Sequence, residues 1–321
     1  MQINKKKPLI NLFSEKLIFV GGVKRGGKSF LCPIISSFDK TEVFMAESIA
    51  ENVMYLKFLK MINHSSATYL FKYIYNERIY NLNIGRHLNK RLFDYTSITK
   101  NKNKEIYLER EKSSKEGDIK IQQIKNEQNS YPIMFHDILL DPDFVFKCFP
   151  YSKILFVERN PIDLILEWYK KKYYGQFYAN PRNTTLSFNI KKKIQVPFWC
   201  LDHEKEFSKL KNNYEKTIFL IEKSYNIQKK NYLKFKNKYK KNLLLIKFET
   251  LVENTDLEIK KIEKFLNLKK TKYTKNEIKK QNGNRKNASI NYANNRKTIF
   301  NNISSDYKKK LIEIEKMYFK K

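Results

Sequence analysis

The stretch KLIFVGGVKRGGKSFL, residues 16–31, decides the fold. It begins with a short apolar run that ends in two glycines, a pattern typical of buried parallel strands. The segment from Gly22 to Ser29 then satisfies the spacing G-x-x-x-x-G-K-[ST], and residues 28–37 are predicted to be a helix. A strand, a glycine loop and a helix start in this order are typical of a phosphate-binding loop. The sequence therefore predicts a phosphorylated, nucleotide-type ligand.

The chemistry expected of this loop comes mainly from its backbone. Four of the eight glycines in the chain lie between Gly21 and Gly27. Glycine tolerates left-handed backbone angles, so successive N–H groups can converge on one anion, and the following helix adds its positive N-terminal end. The residues predicted to bind the ligand are Gly22, Lys24, Arg25, Gly26, Gly27, Lys28 and Ser29.

Other apolar runs alternate with helical patterns along the rest of the chain. Strands are predicted at 41–45, 153–158 and 242–248. Helices are predicted at 48–94, 142–149, 161–174, 205–240, from a capping box at Thr255 onward, and near 304–319. Strands that alternate with helices imply a central parallel sheet covered on both faces. We therefore predict one α/β domain over 1–321, a three-layer α/β/α fold of the P-loop type with helical insertions.

The chain has a formal net charge of +32, and two of its regions differ in composition from the rest. Residues 99–129 are highly charged and poor in large apolar side chains, which predicts an exposed helix or a surface insertion. The tail from about residue 269 is basic and rich in asparagine. Lysines are spread over the whole chain, and Asn, Ile and Tyr are also abundant, as an A/T-rich genome would produce. A nucleic acid partner is therefore not expected.

Several classes of protein are disfavoured by what the sequence lacks. No apolar run has the length of a membrane span, and the basic N-terminus does not have the pattern of a signal peptide. The three cysteines are far apart, and no Cys/His spacing is typical of a metal site. We therefore expect a cytoplasmic protein that requires no metal.

The block KILFVERNPIDLILEWYKK, residues 153–171, narrows the choice among phosphate-binding proteins. An apolar strand, then R-x-P-x-D, then a helix ending in W/Y-Y resembles a signature of sulfotransferases. The glycine loop is similar to the G-x-x-R-S-G-T-T of that family, and LLLIKFETLVENTDLEIKKIEKFLNL is similar to its late strand followed by Y/F-E-x-L. The three blocks frame about residues 16–268. In the second block the matching residues are Arg159, Pro161, Asp163, Trp168 and Tyr169.

This resemblance implies a reaction and a set of roles. Sulfotransferases move a sulfuryl group from 3′-phosphoadenosine 5′-phosphosulfate to an acceptor, here a hydroxyl or amine of a glycan or small metabolite. Arg159 would bind the 3′-phosphate, while Lys28, Arg25 and the loop amides would stabilise the leaving phosphate. Two residues are candidates for the base: His136, which lies 23 residues before Arg159, and Glu47, just past the second predicted strand. Tyr178, Arg182, Phe198 and Trp199 could line an acceptor pocket or could be packing.

Departures from the family pattern leave two other functions open. Where the family usually has a serine that bonds the 3′-phosphate, eight residues after the arginine, this chain has Glu167. The pair Lys28-Ser29 replaces Thr-Thr and moves the loop towards kinases that use ATP and Mg²⁺. A kinase also needs an acidic metal ligand at the end of a buried strand, and residues 153–158 end without an Asp. The other alternative is a non-catalytic member of the family that binds a nucleotide or nucleic acid.

Overall fold

A five-stranded parallel sheet forms the centre of the fold, with its strands in the order β2-β3-β1-β4-β7. The computed structural model describes residues 10, 13, 16–176, 185–190, 194–286 and 291–319. Strands β5 and β6 form a separate antiparallel pair. The strands, in chain order, are β1 (Leu17–Gly22), β2 (Met45–Ala46), β3 (Tyr131–His136), β4 (Lys153–Glu158), β5 (Ser187–Ile190), β6 (Ile194–Pro197) and β7 (Leu243–Lys247).

Helices cover both faces of the sheet. They are α1 (Lys28–Ser36), α2 (Ser48–Phe58), α3 (His64–Asn83), α4 (Lys104–Lys112), α5 (Gly117–Glu127), α6 (Pro142–Cys148), α7 (Pro161–Lys170), α8 (Glu204–Lys209), α9 (Asn213–Phe235), α10 (Phe248–Glu253), α11 (Thr255–Leu266), α12 (Lys272–Lys280), α13 (Tyr292–Phe300) and α14 (Ser305–Phe319). Alternate residues of β1 enter two different cores. Ile18 belongs to a cluster that includes side chains of α1, α10, α11 and α12, and Phe19 to one that includes side chains of α2, α3, α7 and α9. The predicted three-layer α/β/α architecture is therefore confirmed.

Strand β3 is the main element that the sequence analysis missed. It pairs in parallel with β1 along its whole length, from Leu17 opposite Tyr131 to Gly22 opposite His136. Proline cannot donate a ladder hydrogen bond, and Pro132 in this short run hides the strand pattern. The strand predicted at 41–45 is shorter and later than expected, because only Met45 and Ala46 pair with β3.

Three helix predictions need correction. The helix expected at 48–94 forms two, α2 and α3, because the Asn63 side chain accepts a hydrogen bond from the Ser66 N–H and so begins a new helix, and α3 ends at Asn83. The single helix expected at 205–240 is broken between α8 and α9, where the Asn212 side chain accepts hydrogen bonds from the N–H groups of Tyr214 and Glu215 and so begins a new helix. The capping box at Thr255 does not form. Its hydroxyl donates at 2.8 Å to the Leu251 carbonyl, because α11 follows α10 after one residue and that carbonyl lies within reach.

The charged region 99–129 forms α4 and α5, and one side of it belongs to the core. Tyr107 is fully buried and donates its hydroxyl to Glu42 at 2.7 Å. Arg110 forms a bidentate ion pair with the same carboxylate: Nη2 donates to Oε1 at 2.9 Å and Nη1 donates to Oε2 at 3.0 Å. The outer side of both helices is exposed, as the sequence predicted. The charges of this region therefore include an internal ion pair that fixes it to the sheet.

The basic tail contains the predicted final helix, observed as α14, which buries Leu311 and Ile314. Within the part of the chain that the structure describes, no helix is both long and apolar enough to cross a bilayer.

Candidate active site

The glycine loop connects the carboxyl end of β1 to the start of α1, and at two of its glycines there is no room for a side chain. Gly27 has a φ of 108°, and a Cβ there would lie 2.2 Å from the Phe248 ring. Gly22 has a φ of 149°, and its Cβ would lie 2.5 Å from the Val157 carbonyl oxygen. Arg25 between them also adopts a left-handed conformation, with a φ of 67°. The close packing of neighbouring elements therefore requires glycine at both ends of the loop.

Lys28 spans the inside of this loop. Its side chain is 3% exposed, and Nζ donates to the carbonyl oxygens of Gly22 at 2.6 Å and Val23 at 2.8 Å. Burial lowers the pKa of Lys28 to about 8, although the carboxylates of Asp137 and Glu51 oppose this shift. The ammonium group is thus held under the loop by neutral acceptors, which a bound anion could replace. Ser29 lies exposed in the first turn of α1.

Two consecutive residues of α7 hold two consecutive residues of the loop. The indole N–H of Trp168 donates to the Lys24 carbonyl at 2.8 Å. The next contact joins Arg25 and Glu167, whose Oε2 accepts from Nη2 at 2.8 Å and from Nε at 3.2 Å. Glu167, the discordant residue of the second block, is therefore directed at the loop and paired with one of its arginines.

Arg159, at the carboxyl end of β4, also contacts the loop. Its Nη1 donates to the Arg25 carbonyl at 3.0 Å, and its guanidinium lies 5.1 Å from the centre of the Phe248 ring. Asp163, a conceivable partner for this arginine, instead accepts a hydrogen bond from Asn295 at 3.0 Å. Arg159 is therefore placed on the rim of the predicted phosphate site, where its charge remains available to an anion.

His136 is the last residue of β3 and lies directly opposite Gly22 in the sheet. Glu51 of α2 accepts a hydrogen bond from the His136 main-chain N–H at 2.7 Å. The same carboxylate lies 3.0 and 3.2 Å from Nδ1 of the ring. A carboxylate at this distance assigns the proton of the neutral imidazole to Nδ1, which leaves Nε2 as the acceptor. Glu51 is 4% exposed and was not predicted as a site residue.

A narrow cleft, partly open to solvent, contains His136, Glu51 and Lys24 together. Its remaining surface is largely aromatic, from the rings of Tyr55, Trp168, Tyr173 and Trp199. Lys24 Nζ lies 4.9 Å from the centre of the Tyr173 ring, and burial lowers the pKa of this lysine. A proton acceptor, a cation and an apolar wall therefore meet beside the glycine loop.

Glu47, the other predicted base, lies at the start of α2 and pairs with Arg78 of α3. It is 8% exposed, and burial raises its pKa although Arg78 opposes the shift. Among the described residues, those that line the cleft do not include Glu47. The structure thus brings His136 together with the glycine loop and directs Glu47 to a different partner.

Asp137 follows His136 and completes the polar end of the cleft. It adopts a φ of 50°, and its Oδ1 accepts from Nε2 of Gln228 at 2.9 Å. Burial raises the pKa of Asp137, while the charges of His136 and Lys28 oppose the shift. Across residues 16–176, 185–190, 194–286 and 291–319, no group of three or more His, Cys, Asp or Glu side chains could together hold a metal ion.

Of the residues predicted as a possible acceptor pocket, Trp199 lines the cleft and Phe198 stacks on Tyr55 with ring centres 4.3 Å apart. Tyr178 and Arg182 lie outside the described residues.

Comparison with known proteins gives matches among solved structures alone: no family model and no curated protein matches this chain. The sulfotransferase domain of the Synechococcus PCC 7002 olefin synthase is similar over 98% of both chains, with 10% identity and a TM-score of 0.45. The sulfotransferase domain of the curacin biosynthetic pathway is similar over 80% of this chain and 75% of that one, with 13% identity and a TM-score of 0.40. Sulfotransferase STF9 from Mycobacterium avium is similar over 84% and 68%, with 8% identity and a TM-score of 0.39. At such low similarity, the function has to be inferred from the site's own residues.

Proposed function

We propose that this protein is a sulfotransferase that moves a sulfuryl group from 3′-phosphoadenosine 5′-phosphosulfate to a hydroxyl or amine of a glycan or small metabolite. The observation that carries the proposal is the position of His136. It ends the strand beside the glycine loop, its Nδ1 is bound by Glu51, and its other nitrogen is left as an acceptor in a cleft shared with Lys24. A base next to a phosphate-binding loop is what sulfuryl transfer requires.

The roles of the residues follow from this placement. His136 removes the proton from the acceptor as the acceptor oxygen or nitrogen bonds to sulfur, and the bond between sulfur and the phosphate oxygen breaks. Lys28, Arg25 and the N–H groups of the loop bind the phosphate and stabilise the charge that develops on it. Glu51 holds the imidazole in one tautomer.

The donor would be held by the residues that the sequence singled out. Gly22, Lys24, Arg25, Gly26, Gly27, Lys28 and Ser29 form the loop for the 5′-phosphosulfate, and Arg159 on its rim is proposed for the 3′-phosphate. The formal net charge of +32 favours the approach of so anionic a donor.

The test is transfer of radioactive sulfate from the donor to a panel of sugars, phenols and amines. Replacing His136 with Ala should leave donor binding intact and lower transfer about 100-fold or more. Replacing Glu47 with Gln should leave transfer within about threefold of the wild type, since a residue outside the site seldom matters more. Loss of transfer in the Glu47 variant, with transfer retained in the His136 variant, would assign the base to Glu47. If none of the sugars, phenols or amines receives sulfate from the donor, the proposed activity is refuted.

A second candidate, a kinase that uses ATP and Mg²⁺, gains support from Asp137. This carboxylate follows β3, the neighbour of the loop strand, and its charge acts on Lys28. An acidic residue at such a position would hold the metal in a P-loop kinase. The sequence analysis looked for this residue at the end of β4, where Glu158 is instead engaged by Tyr225 at 2.5 Å and by Lys229 at 3.3 Å. Magnesium-dependent ATP turnover that Asp137→Asn abolishes would favour the kinase.

A further inference from the structure

A second cleft lies at the end of α1 that is remote from the glycine loop. The nine residues of α1, from Lys28 beside the loop to Ser36, place the two ends of the helix about 12 Å apart. The cleft has a volume of about 690 Å³, within the range of about 300–1,000 Å³ typical of small-molecule sites. Its lining comes from the end of α1, residues 95–102 and α12, and it is partly open to solvent. We call it the Tyr95–Tyr273 cleft.

Hydrogen bonds at Ser37, just past α1, hold both of the other elements in place. The Ser37 carbonyl accepts from Oγ1 of Thr271 at 2.7 Å and from Nζ of Lys102 at 3.3 Å. The Ser37 hydroxyl lies 2.9 Å from Oγ1 of Thr274. Ser37 is itself buried, so the cleft is formed before any ligand binds, which lowers the cost of binding one.

Ser36 leaves a hydroxyl without a partner in the lining of this cleft. The side chain is 3% exposed, and its Oγ has no hydrogen-bond partner among the described residues. A buried hydroxyl without a partner is costly, and most such groups in proteins are satisfied. Its place in the lining of a cleft points to a partner supplied from outside the chain.

The rings of Tyr95 and Tyr273 line the cleft from two different elements, and they are 60% and 44% exposed. Each has a lysine ammonium near it, at 5.8 Å and 5.3 Å from the ring centre, and neither stacks on another ring of the described residues. The cleft therefore offers a ligand two flat apolar surfaces.

Most polar side chains of the cleft can both donate and accept hydrogen bonds. They are Ser36, Ser97, Thr99, Asn101, Asn276 and Gln281. Asn101 accepts from the Asn103 N–H at 2.9 Å and keeps its NH₂ group. Gln281 donates to Glu277 at 2.9 Å and keeps its oxygen. Sugar hydroxyls likewise donate and accept, and the weakly positive C–H groups of a sugar ring pack on the negative face of an aromatic ring.

The charged groups of the cleft favour a neutral ligand. Lys280 pairs with Glu277 at 3.4 Å, and the ammonium of Lys102 is bound by main-chain carbonyls just past the end of α1. Lys100 is exposed to solvent. Recognition in the buried part of the cleft therefore depends on rings, hydroxyls and amides.

We propose that the Tyr95–Tyr273 cleft is a binding site for a short neutral oligosaccharide. The two rings pack on the faces of sugar residues, the amides and hydroxyls bind the sugar hydroxyls, and Ser36 gains the partner that it lacks. The cleft lies away from the glycine loop, so this site is separate from the place of sulfuryl transfer and does not depend on that proposed function.

The experiment titrates the full chain with three trisaccharides, maltotriose, cellotriose and triacetylchitotriose, and follows binding by NMR. At least one should bind with a Kd of about 1 mM or tighter. Tyr95→Ala and Tyr273→Ala should each weaken this binding about fivefold or more, because a flat surface is lost. Tyr95→Phe and Tyr273→Phe keep the rings and should stay within about twofold of the wild type.

Ser36→Ala separates a ligand contact from a structural role. It should weaken trisaccharide binding about threefold or more, with a melting temperature equal to or above that of the wild type, because no bond within the protein is lost. A lower melting temperature with unchanged affinity would contradict the role of this hydroxyl in binding.

Two controls locate the sugar. Tyr73→Ala removes a ring of α3 that is 49% exposed and does not line this cleft, and Tyr173→Ala removes a ring from the cleft at His136. Both should leave the affinity within about twofold of the wild type. Absence of binding of all three trisaccharides at about 10 mM would overturn the proposal. Binding that Tyr173→Ala weakens and Tyr273→Ala does not would also overturn it, and would place the sugar beside His136.

Discussion

Glu51 is bound to His136 through two groups, accepting from the main-chain N–H at 2.7 Å while lying 3.0 Å from Nδ1 of the ring. One carboxylate therefore fixes both the end of β3 and the orientation of the imidazole. Since His136 lies opposite Gly22 in the sheet, the ring is also fixed relative to the glycine loop.

Glu51→Gln should lower kcat about 100-fold and leave donor affinity unchanged. The amide oxygen in the Oε1 position can still accept from the main-chain N–H and from Nδ1, but the negative charge that stabilises the imidazolium formed during proton transfer is lost. Steady-state kinetics at saturating donor, with donor binding measured separately, checks this. Glu47→Gln, at the residue that precedes the same helix, is the control, and an active Glu51→Gln enzyme would contradict the role.

The local parts of the fold could be predicted because their signals are short and contiguous. The loop from Gly22 to Ser29, the strand before it and the strand–proline–helix block around Arg159 each follow from the identities of neighbouring residues. Strand β3 did not follow, because Pro132 disguises it. Without β3 the sequence offered no reason to place His136 opposite Gly22, so both His136 and Glu47 remained candidates.

The partners within the site could not be predicted, because they depend on contacts between distant parts of the chain. Glu167 was recognised as discordant, but its partner Arg25 lies 142 positions away. Glu51 had no distinguishing local pattern. The contacts of Glu51 and Glu167 can be seen only in the folded chain, where α2 and α7 both lie beside the glycine loop.

Donor affinity should depend on pH through Lys28. Its pKa of about 8, below the ordinary 10.5, means that the ammonium loses its proton just above neutrality. An anionic ligand binds the protonated form, so affinity for adenosine 5′-phosphate should be constant up to about pH 7.5 and fall above pH 8. Titration calorimetry from pH 6.5 to about 9.5 measures this dependence of affinity on pH.

Two variants assign the effect to Lys28. Lys28→Met should bind weakly, with affinity independent of pH. Lys24→Met should keep the decline above pH 8, although burial lowers the pKa of that lysine too. A decline that persists in Lys28→Met would attribute the titration to another group.

Arg110→Ala should lower the free energy of unfolding by about 3 kcal/mol, because it leaves Glu42 charged and 2% exposed without its cation. Burial raises the pKa of Glu42, but its bonds to Arg110 lower it overall. The pair therefore stabilises the fold above about pH 4.5 and loses this effect as the pH falls, so the difference from the wild type should narrow in acid.

Denaturant unfolding at neutral and acid pH measures this difference. The control is Lys90→Ala, which removes an exposed pair with Glu111 of the same helix and should change stability by about 0.5 kcal/mol or less. Equal effects of the two variants would mean that α4 is not anchored through Glu42.

Gly27→Ala tests the steric requirement of the loop. A methyl group at Gly27 would lie 2.2 Å from the Phe248 ring, and the φ of 108° is unfavourable for alanine. We expect a loss of about 2 kcal/mol or more in the free energy of unfolding, together with loss of nucleotide binding. Gly175→Ala is the matched control, since nothing lies within 4 Å of its Cβ position, and its melting temperature should match that of the wild type.

A double mutant separates the contact from the backbone strain. Phe248→Leu shortens the ring that the methyl group would meet, so Gly27→Ala should cost less in that background, by about 1 kcal/mol. The remaining cost measures the strain of alanine at this φ. Strict additivity of the two changes would show that Phe248 does not restrict position 27, and that the glycine is required for its backbone angle alone.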